Sequence, residues 1–351
     1  MASPDVRLPG IWFPAVRRGT GADVFTARLC SGLLAQGMRA EICWLPPRAE
    51  YLPWTVSVPA IPDWVDVIHV NSWLHARFCG DRARVVTVHH SVHDYSLSAY
   101  KTRAQAAYHG LWVRPTEAAA IRRADAVTAV SEYTAAQVRS TFGCPSVEVI
   151  HNGIDVDVFR PPNRGTRRPG AFRLLYVGSP SRRKGADLLA PIMTLLGKDF
   201  VLHYTGVAEA FSAWGGLPAN CTALGHLDDA HLVQAMQDAD ALLFPTRLEG
   251  FGMVVAEAMA CGLPVVTSRC SSLPEIVEHG ESGWLCTAGD IDEFVASLRR
   301  LAEDAELRAS LSLAASRRIR NHFTLDRMVA TYASLYRRLT SSGDEDLIRS
   351  Q

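Results

Sequence analysis

Two stretches of the chain carry side chains whose types and spacing suit an anionic, hydroxylated ligand. The first is Glu249-Gly250-Phe251-Gly252-Met253-Val254-Val255-Ala256-Glu257-Ala258-Met259-Ala260-Cys261-Gly262-Leu263-Pro264. Gly250 and Gly252 leave room for a ligand to reach backbone N–H groups at a helix start, where unsatisfied amides and the helix dipole favour an anion such as diphosphate. Glu257 follows one to two turns later, and its neighbours from Met253 to Ala260 are all apolar or small. A lone carboxylate in so apolar a helix is costly, so it needs partners. Paired sugar hydroxyls would satisfy both oxygens, as an acidic residue does against ribose in dinucleotide sites. The plain alternative is a structural glutamate paired with an arginine.

The second stretch is Tyr176-Val177-Gly178-Ser179-Pro180-Ser181-Arg182-Arg183-Lys184-Gly185, which reads as a strand, a basic turn and a helix start. Cations on such a turn can neutralise a leaving diphosphate. Three consecutive basic residues can equally be a solvated charge run, a reading weakened by the strand–loop–helix context. Lysine occurs only three times, at Lys101, Lys184 and Lys198, among 36 basic residues, which makes Lys184 conspicuous. Smaller signals lie in the first half. Gly19-Thr20-Gly21-Ala22-Asp23 precedes an amphipathic helix without completing the dinucleotide fingerprint. Thr87-Val88-His89 ends a strand; His89, His90 and His93 lack the clustering expected of a metal site. Asp155-Val156-Asp157 fits a turn or cap better than a metal pair.

These residues need strands and helices to carry them. Short β-branched runs alternate with helical patterns throughout, the signature of parallel sheets flanked by helices. Strands are predicted at Pro9–Phe13, Ala40–Leu45, Val67–Asn71, Arg84–His89, Ala126–Val130 and Val147–Ile150, with helices including Ala22–Ala35 and Glu132–Thr141. Pro161–Gly170 holds three prolines, two glycines and three arginines and no apolar side chain, and reads as a linker. A second series follows at Phe172–Val177, Phe200–Tyr204, Ala241–Phe244 and Pro264–Thr267, with helices near Gly185–Leu196, Ala230–Gln237, Met253–Ala260 and Ile291–Ala302. Helices at Leu307–Arg320 and Asp326–Leu339 close the chain, the last with a stripe of Met328, Ala330, Leu335 and Leu339. Length points the same way, because 351 residues exceed what one hydrophobic core usually serves.

Composition excludes several classes. With 36 basic against 36 acidic side chains and 48% hydrophobic residues, the chain lacks the basic excess of a nucleic-acid binder and the polarity of a disordered regulator. Eight scattered cysteines without a CxxC pair suit reduced thiols and an intracellular protein. Neither a signal peptide nor a membrane span is visible. Leu97–Arg123 interleaves Tyr100, Tyr108, Leu111 and Trp112 with five basic residues against Glu117 alone. It reads as an amphipathic helix pair on the first sheet, or as a peripheral contact with an anionic inner-membrane surface.

The run from Glu249 to Glu257 resembles the Glu-x7-Glu motif of retaining GT-B glycosyltransferases of family 4, the group 1 transferases. The resemblance spans nearly the whole chain and implies two Rossmann-like domains whose parallel sheets face an interdomain cleft. It implies an N-terminal acceptor-side domain at 1–160, a nucleotide-sugar domain at 161–324, and a C-terminal helix, about 325–351, crossing back to the first. Residue by residue, it assigns Glu257 to ribose, Glu249, Gly250, Phe251 and Gly252 to the donor sugar, and Met253 to the substrate-binding set. The Gly-Arg-x4-Lys-Gly motif corresponds to Lys184 as diphosphate grip, with Ser179 where arginine is usual and Arg182 or Arg183 as substitutes. Gly21 is similar to the family's diphosphate and acceptor loop, His89 to its T-x-H histidine over the donor sugar, and Leu227 of Gly225-His226-Leu227 to its base-contacting loop. His151-Asn152-Gly153-Ile154-Asp155 resembles a structural segment before the linker. The implied catalytic set is His89, Lys184 and Glu249, with no cofactor and no metal.

The implied activity is hexose transfer from a nucleotide-diphosphate sugar to a glycan or lipid-linked hydroxyl acceptor, in the cytoplasm, for bacterial cell-surface polysaccharide or lipopolysaccharide assembly. A GT-B epimerase or phosphorylase and a non-catalytic sugar-nucleotide-binding subunit share the fold. A nicotinamide dehydrogenase is disfavoured because no G-x-G-x-x-G opens a helix after a strand.

Overall fold

The computed structural model describes residues 7–162 and 170–349. The larger part of the predicted linker, 163–169, and the chain's last two residues lie outside the described residues. The chain divides into two units, one of residues 1–153 with 325–351 and one of residues 154–324. The division falls at 153/154 and not at 160/161 because Ile154 already bonds into the second unit, its N–H donating to the Phe323 carbonyl at 2.8 Å.

In the first unit the chain runs β1 (Ile11–Val16), α1 (Gly21–Ala35), β2 (Ala40–Leu45), β3 (Val67–Asn71), β4 (Ala83–Val88), α2 (Arg103–Tyr108), α3 (Arg114–Arg122), β5 (Ala126–Ala129), α4 (Glu132–Phe142) and β6 (Glu148–Val149). The strands form a parallel sheet in the order β2-β1-β3-β4-β5-β6. Both faces are buried, as a parallel sheet requires. Trp12, Ile68 and Val86 pack on one face, and Ile11, Phe13, Val67 and Val85 on the other, the two-residue alternation of strand side chains. Pro14 falls inside β1, where the sequence reading stopped the strand at Phe13. Beyond Trp12 the strand pairs with β2 only, so a residue without an N–H is tolerated there.

The second unit runs β7 (Phe172–Tyr176), α5 (Ala186–Leu196), β8 (Phe200–Tyr204), β9 (Cys221–Ala223), α6 (Asp229–Asp238), β10 (Ala241–Phe244), α7 (Met253–Ala260), β11 (Val265–Ser268), α8 (Leu273–Ile276), β12 (Trp284–Cys286), α9 (Ile291–Glu303) and α10 (Ala305–His322). Its parallel sheet has the order β9-β8-β7-β10-β11-β12. The chain winds outward from β7 in one direction and then from β10 in the other. The strand order therefore reverses between β7 and β10, and in open α/β sheets ligands bind beyond the carboxyl ends of the strands at that reversal. Leu174, Leu202, Leu242, Leu243, Val265, Leu189, Ile192, Phe294 and Leu298 form the buried interior.

The final helix, α11 (Leu325–Arg349), belongs to the first unit and packs along α1. Its buried stripe is Met328, Val329, Tyr332, Ala333, Leu335 and Tyr336. Ala330, expected in the stripe, is exposed, because it lies about 200° around the helix from Met328. Tyr336 Oη lies 2.6 Å from His69 Nδ1, and Tyr332 Oη 3.1 and 3.2 Å from the Thr87 and Thr128 hydroxyls. The helix is thus latched to β3, β4 and β5 by polar contacts as well as apolar burial. Among the described residues no helix is long and apolar enough to cross a membrane.

Candidate functional site

In the second unit the two motifs meet at the reversal of the sheet. The basic turn follows β7, and the Glu249 loop follows β10. Lys184 Nζ lies 2.8 and 2.9 Å from the two oxygens of Glu249, a bidentate ion pair across 65 positions of sequence. Arg183 stands beside it, with Nη1 3.7 Å from Glu249 Oε1 and donating to the Leu248 carbonyl at 2.9 Å. The Thr246 hydroxyl lies 2.8 Å from Glu249 Oε1, and Lys184 Nζ sits 5.2 Å from the centre of the Phe244 ring. Burial pushes the Lys184 ammonium below its ordinary pKa although Glu249 pulls the other way. Burial also works against an ionised Glu249, but Lys184 and Arg183 outweigh it and hold that carboxyl below its usual range. The cations thus favour the ionised form of Glu249, and the pairing offsets part of what burial costs the Lys184 ammonium.

Local geometry explains the glycines. Gly185 has φ +72°, and a Cβ there would come 2.0 Å from the Pro245 carbonyl oxygen, so only glycine lets the turn after β7 touch the loop after β10. Gly252 caps α7 at φ +104°, with Leu273 2.7 Å from a Cβ position. Arg247 joins the loops again through a bidentate pair with Asp187, at 2.7 and 3.0 Å. The Tyr176 hydroxyl donates toward the Ser179 and Lys184 carbonyls, 3.3 Å from each.

The other expected donor-side residues lie in the same unit. Glu257 is 6% exposed within α7. Phe251 points inward against Phe323, with ring centres 5.8 Å apart, which leaves its backbone, and not its ring, to serve a ligand. Met253 opens α7 half-buried. Ser179 is exposed and contributes its carbonyl to Tyr176, while Arg182 is exposed. Of the two arginines offered in place of one at Ser179, Arg183 is the one beside Glu249. Leu227 is half-buried after β9, where Gly206 and Gly225 bridge.

In the first unit, Gly21 opens α1 with open space around it. Asp23 organises the preceding loop by accepting the Arg18 and Gly19 N–H groups at 2.7 and 2.6 Å. His89 follows β4, its Nε2 2.7 Å from Asn71 Oδ1 and its ring 4.6 Å from that of Phe25. Burial pulls its pKa down to about 4, against a weaker opposite pull from Asp23, so the imidazole is neutral at pH 7. His93 turns elsewhere, to buried Glu117 at 3.1 Å, and Glu117 also accepts the Ser72 hydroxyl at 2.6 Å. Among the described residues no group of three or more His, Cys, Asp or Glu side chains could hold a metal. Asp155 uses Oδ1 to accept the Asp157 and Val158 N–H groups, a local turn. The expected amphipathic helix pair is only half present: α2 buries no side chain, and α3 buries Glu117, Ala120 and Ile121.

Sequence reasoning missed Thr246, Arg247, Asp187, Ser271 and Ser272. Position after a strand end was the one available signal, since the loop after β11 holds both serines beside the reversal. The Ser271 hydroxyl oxygen accepts the Glu249 N–H at 2.8 Å, and the Ser272 hydroxyl donates to the Phe251 carbonyl at 2.8 Å.

Comparison with known proteins gives the same assignment. A family model described as Glycosyl transferases group 1 matches residues 162–318, and one described as Glycosyltransferase Family 4 matches residues 19–158. A glycogen synthase from Mycobacterium tuberculosis is 26% identical over 331 residues, covering 88% of this chain and 73% of the relative. Sucrose-phosphate synthase from Thermosynechococcus elongatus superposes with a TM-score of 0.80 at 20% identity, over 95% of this chain and all of the other. The Anabaena protein Alr3699/HepE, crystallised with UDP-glucose, gives a TM-score of 0.68 at 19% identity, over 93% of this chain and 99% of the other. With two family models spanning all but its ends and a short join, and two six-stranded parallel sheets, the chain belongs to the group 1, family 4 glycosyltransferases.

Proposed function

We propose that the protein is a retaining, metal-independent hexosyltransferase that moves a sugar from a nucleotide-diphosphate donor to a hydroxyl of a glycan or lipid-linked acceptor. The observation that carries this is the meeting of Lys184, Arg183 and Glu249 at the reversal of the second sheet, beside the start of α7. Lys184 and Arg183 supply positive charge where a diphosphate leaves, and the α7 N-terminus adds oriented amides. Glu257 takes the ribose hydroxyls, and Glu249 with the Gly250–Met253 backbone takes the sugar. Donor binding then requires the Lys184–Glu249 pair to exchange partners, the ammonium to phosphate and the carboxylate to sugar hydroxyls.

As the anomeric carbon–oxygen bond to the diphosphate breaks, its electron pair stays on the leaving phosphate. The acceptor hydroxyl adds from the same face and its proton passes to the leaving phosphate oxygen. No protein nucleophile takes part, so the enzyme works by placement and charge stabilisation. Neutral His89 suits a hydrogen bond to a sugar hydroxyl. The UDP-glucose complex of the Anabaena neighbour makes UDP-glucose the first donor to try. A role in cell-surface polysaccharide or lipopolysaccharide assembly at the cytoplasmic membrane face is carried over from the family, and exposed Leu111 and Tyr95 suit a peripheral contact there.

Thermal shift against UDP-, GDP-, ADP- and dTDP-sugars tests this, because a ligand that binds the native state alone raises its apparent stability. One donor class should raise the melting temperature, its turnover should survive EDTA, and NMR should show the product anomer with the donor's configuration. No response to any donor, rescue of EDTA-treated enzyme by Mn²⁺, or an inverted anomer each overturns the corresponding part.

A further inference from the structure

Ser271 is the one non-glycine residue among those described with a left-handed backbone, at φ +46°. Serine gains nothing intrinsic there. Glycine adopts that region freely, and a serine is retained against steric preference when its surroundings demand it. What its side chain does is hold the Glu249 N–H, 2.8 Å from Oγ. The next residue continues the contact: buried Ser272 sets its hydroxyl 2.8 Å from the Phe251 carbonyl and 3.2 Å from the Glu249 carbonyl. Two consecutive hydroxyls thus engage three backbone groups of the loop.

The proton of Ser271 has a defined place. Its hydroxyl donates to Cys270 Sγ at 3.8 Å, and the Cys270 thiol donates to the Thr246 carbonyl at 3.4 Å. Burial keeps that thiol protonated, with its pKa pushed up to about 12, so the chain of donors has one direction. The Ser271 lone pair is left facing the Glu249 amide. Thr246 in turn lies 2.8 Å from Glu249 Oε1, and Glu249 is gripped at its backbone and at its carboxylate by residues that bond to one another.

We propose that Ser271 is a positioning residue for the Glu249–Gly252 loop, kept in a left-handed conformation because its hydroxyl fixes the Glu249 amide. The loop needs such an anchor. Gly250 and Gly252 bring no side chains and carry the largest backbone entropy to lose, while a displacement of about 1 Å at a reacting centre costs roughly a hundredfold in rate. The proposal rests on the donor-sugar role assigned above to Glu249 and its loop.

The test uses the full chain with Ser271→Gly, which relieves the backbone and removes the hydroxyl, and Ser271→Ala, which removes the hydroxyl alone. Amide hydrogen exchange is followed over residues 245–257, and turnover and binding are read with UDP-, GDP-, ADP- and dTDP-glucose and the bare nucleoside diphosphates. Ser271→Gly should melt at or above the wild-type temperature, yet its Glu249–Gly252 amides should exchange at least about tenfold faster, with the same local effect in Ser271→Ala. Turnover should fall about tenfold or more through kcat, while the shift given by the nucleoside diphosphate stays the same. Wild-type protection of the loop in both variants overturns the anchor, whatever the donor. Faster exchange with unchanged kcat overturns the positioning role. Absence of wild-type turnover on any donor instead counts against the proposed function, and the exchange data still decide the anchor.

Discussion

The two units solve one problem with opposite electrostatics. Loops after β7 and β10 gather an ion pair and a second cation around buried oxygens. At the ends of β3 and β4 the first unit gathers neutral groups, with His89 on Asn71 and His69 bonded between Tyr336 and Thr87. Burial lowers the pKa of His69 to about 3 and that of His89 to about 4. The second unit thus places an ion pair where the proposed function puts a diphosphate, and the His69–Thr87 network of the first holds none. A buried charge is tolerable only with a partner, so the second unit builds Lys184 and Glu249 as a pair and the first builds its network without ions.

Breaking the pair should have the largest effect. Lys184→Met should cut transfer by about 10²–10³-fold through lost charge stabilisation, and leaving buried Glu249 with only Arg183 and Thr246 beside it should cost up to about 3 kcal/mol in stability. Steady-state kinetics and urea unfolding separate the two effects. Near-wild-type kcat would remove Lys184 from the site.

Glu257→Ala should come next, raising the donor KM by tenfold or more while the melting temperature changes little. A large drop in melting temperature with normal donor binding would support the structural, arginine-paired reading of Glu257. Gly185→Ala follows, costing at least about 1–2 kcal/mol for the left-handed backbone, with further loss from the contact with Pro245. A variant as stable as wild type would mean that the two loops do not need this close approach.

The neutral network sharpens the contrast through pH. His69 and His89 have lower pKa values folded than unfolded, so the unfolded chain takes up protons first as pH falls. Stability should therefore be full above about pH 6.5 and decline between there and about pH 3–4, as linkage requires. His69→Gln should flatten that decline in chemical-denaturation curves; an unaltered slope would remove His69 as its source. The smallest effect is expected from Tyr332→Phe, about 1 kcal/mol for one buried hydrogen bond, with turnover unchanged.

Much of this was legible in the sequence because the motifs are contiguous. A strand, a turn and a helix start lie within Tyr176–Ala186, and the same order recurs from Ala241 to Ala260. The pairing of Lys184 with Glu249 was not legible, because 65 residues separate them and nothing local ties a cation to that carboxylate. Ser271 left no periodic or charged signal, and its role appears only when the loop after β11 lies behind the loop after β10. β9 and β12 are three-residue strands at the two edges of their sheet, too short to show alternation. The stripe expected on the last helix, Met328, Ala330, Leu335 and Leu339, leaves out Tyr332 and Tyr336, whose hydroxyl contacts depend on His69, Thr87 and Thr128 from three separate strands.

The central claim is that the second unit holds a nucleoside diphosphate through Lys184. Titration calorimetry with UDP, GDP, ADP and dTDP on the wild type and on Lys184→Met tests it most directly. One of the four should bind the wild type, and Lys184→Met should bind it at least about tenfold more weakly, the loss of one charge-assisted contact. Equal affinity in the two proteins, or no binding of any of the four to the wild type, would contradict it.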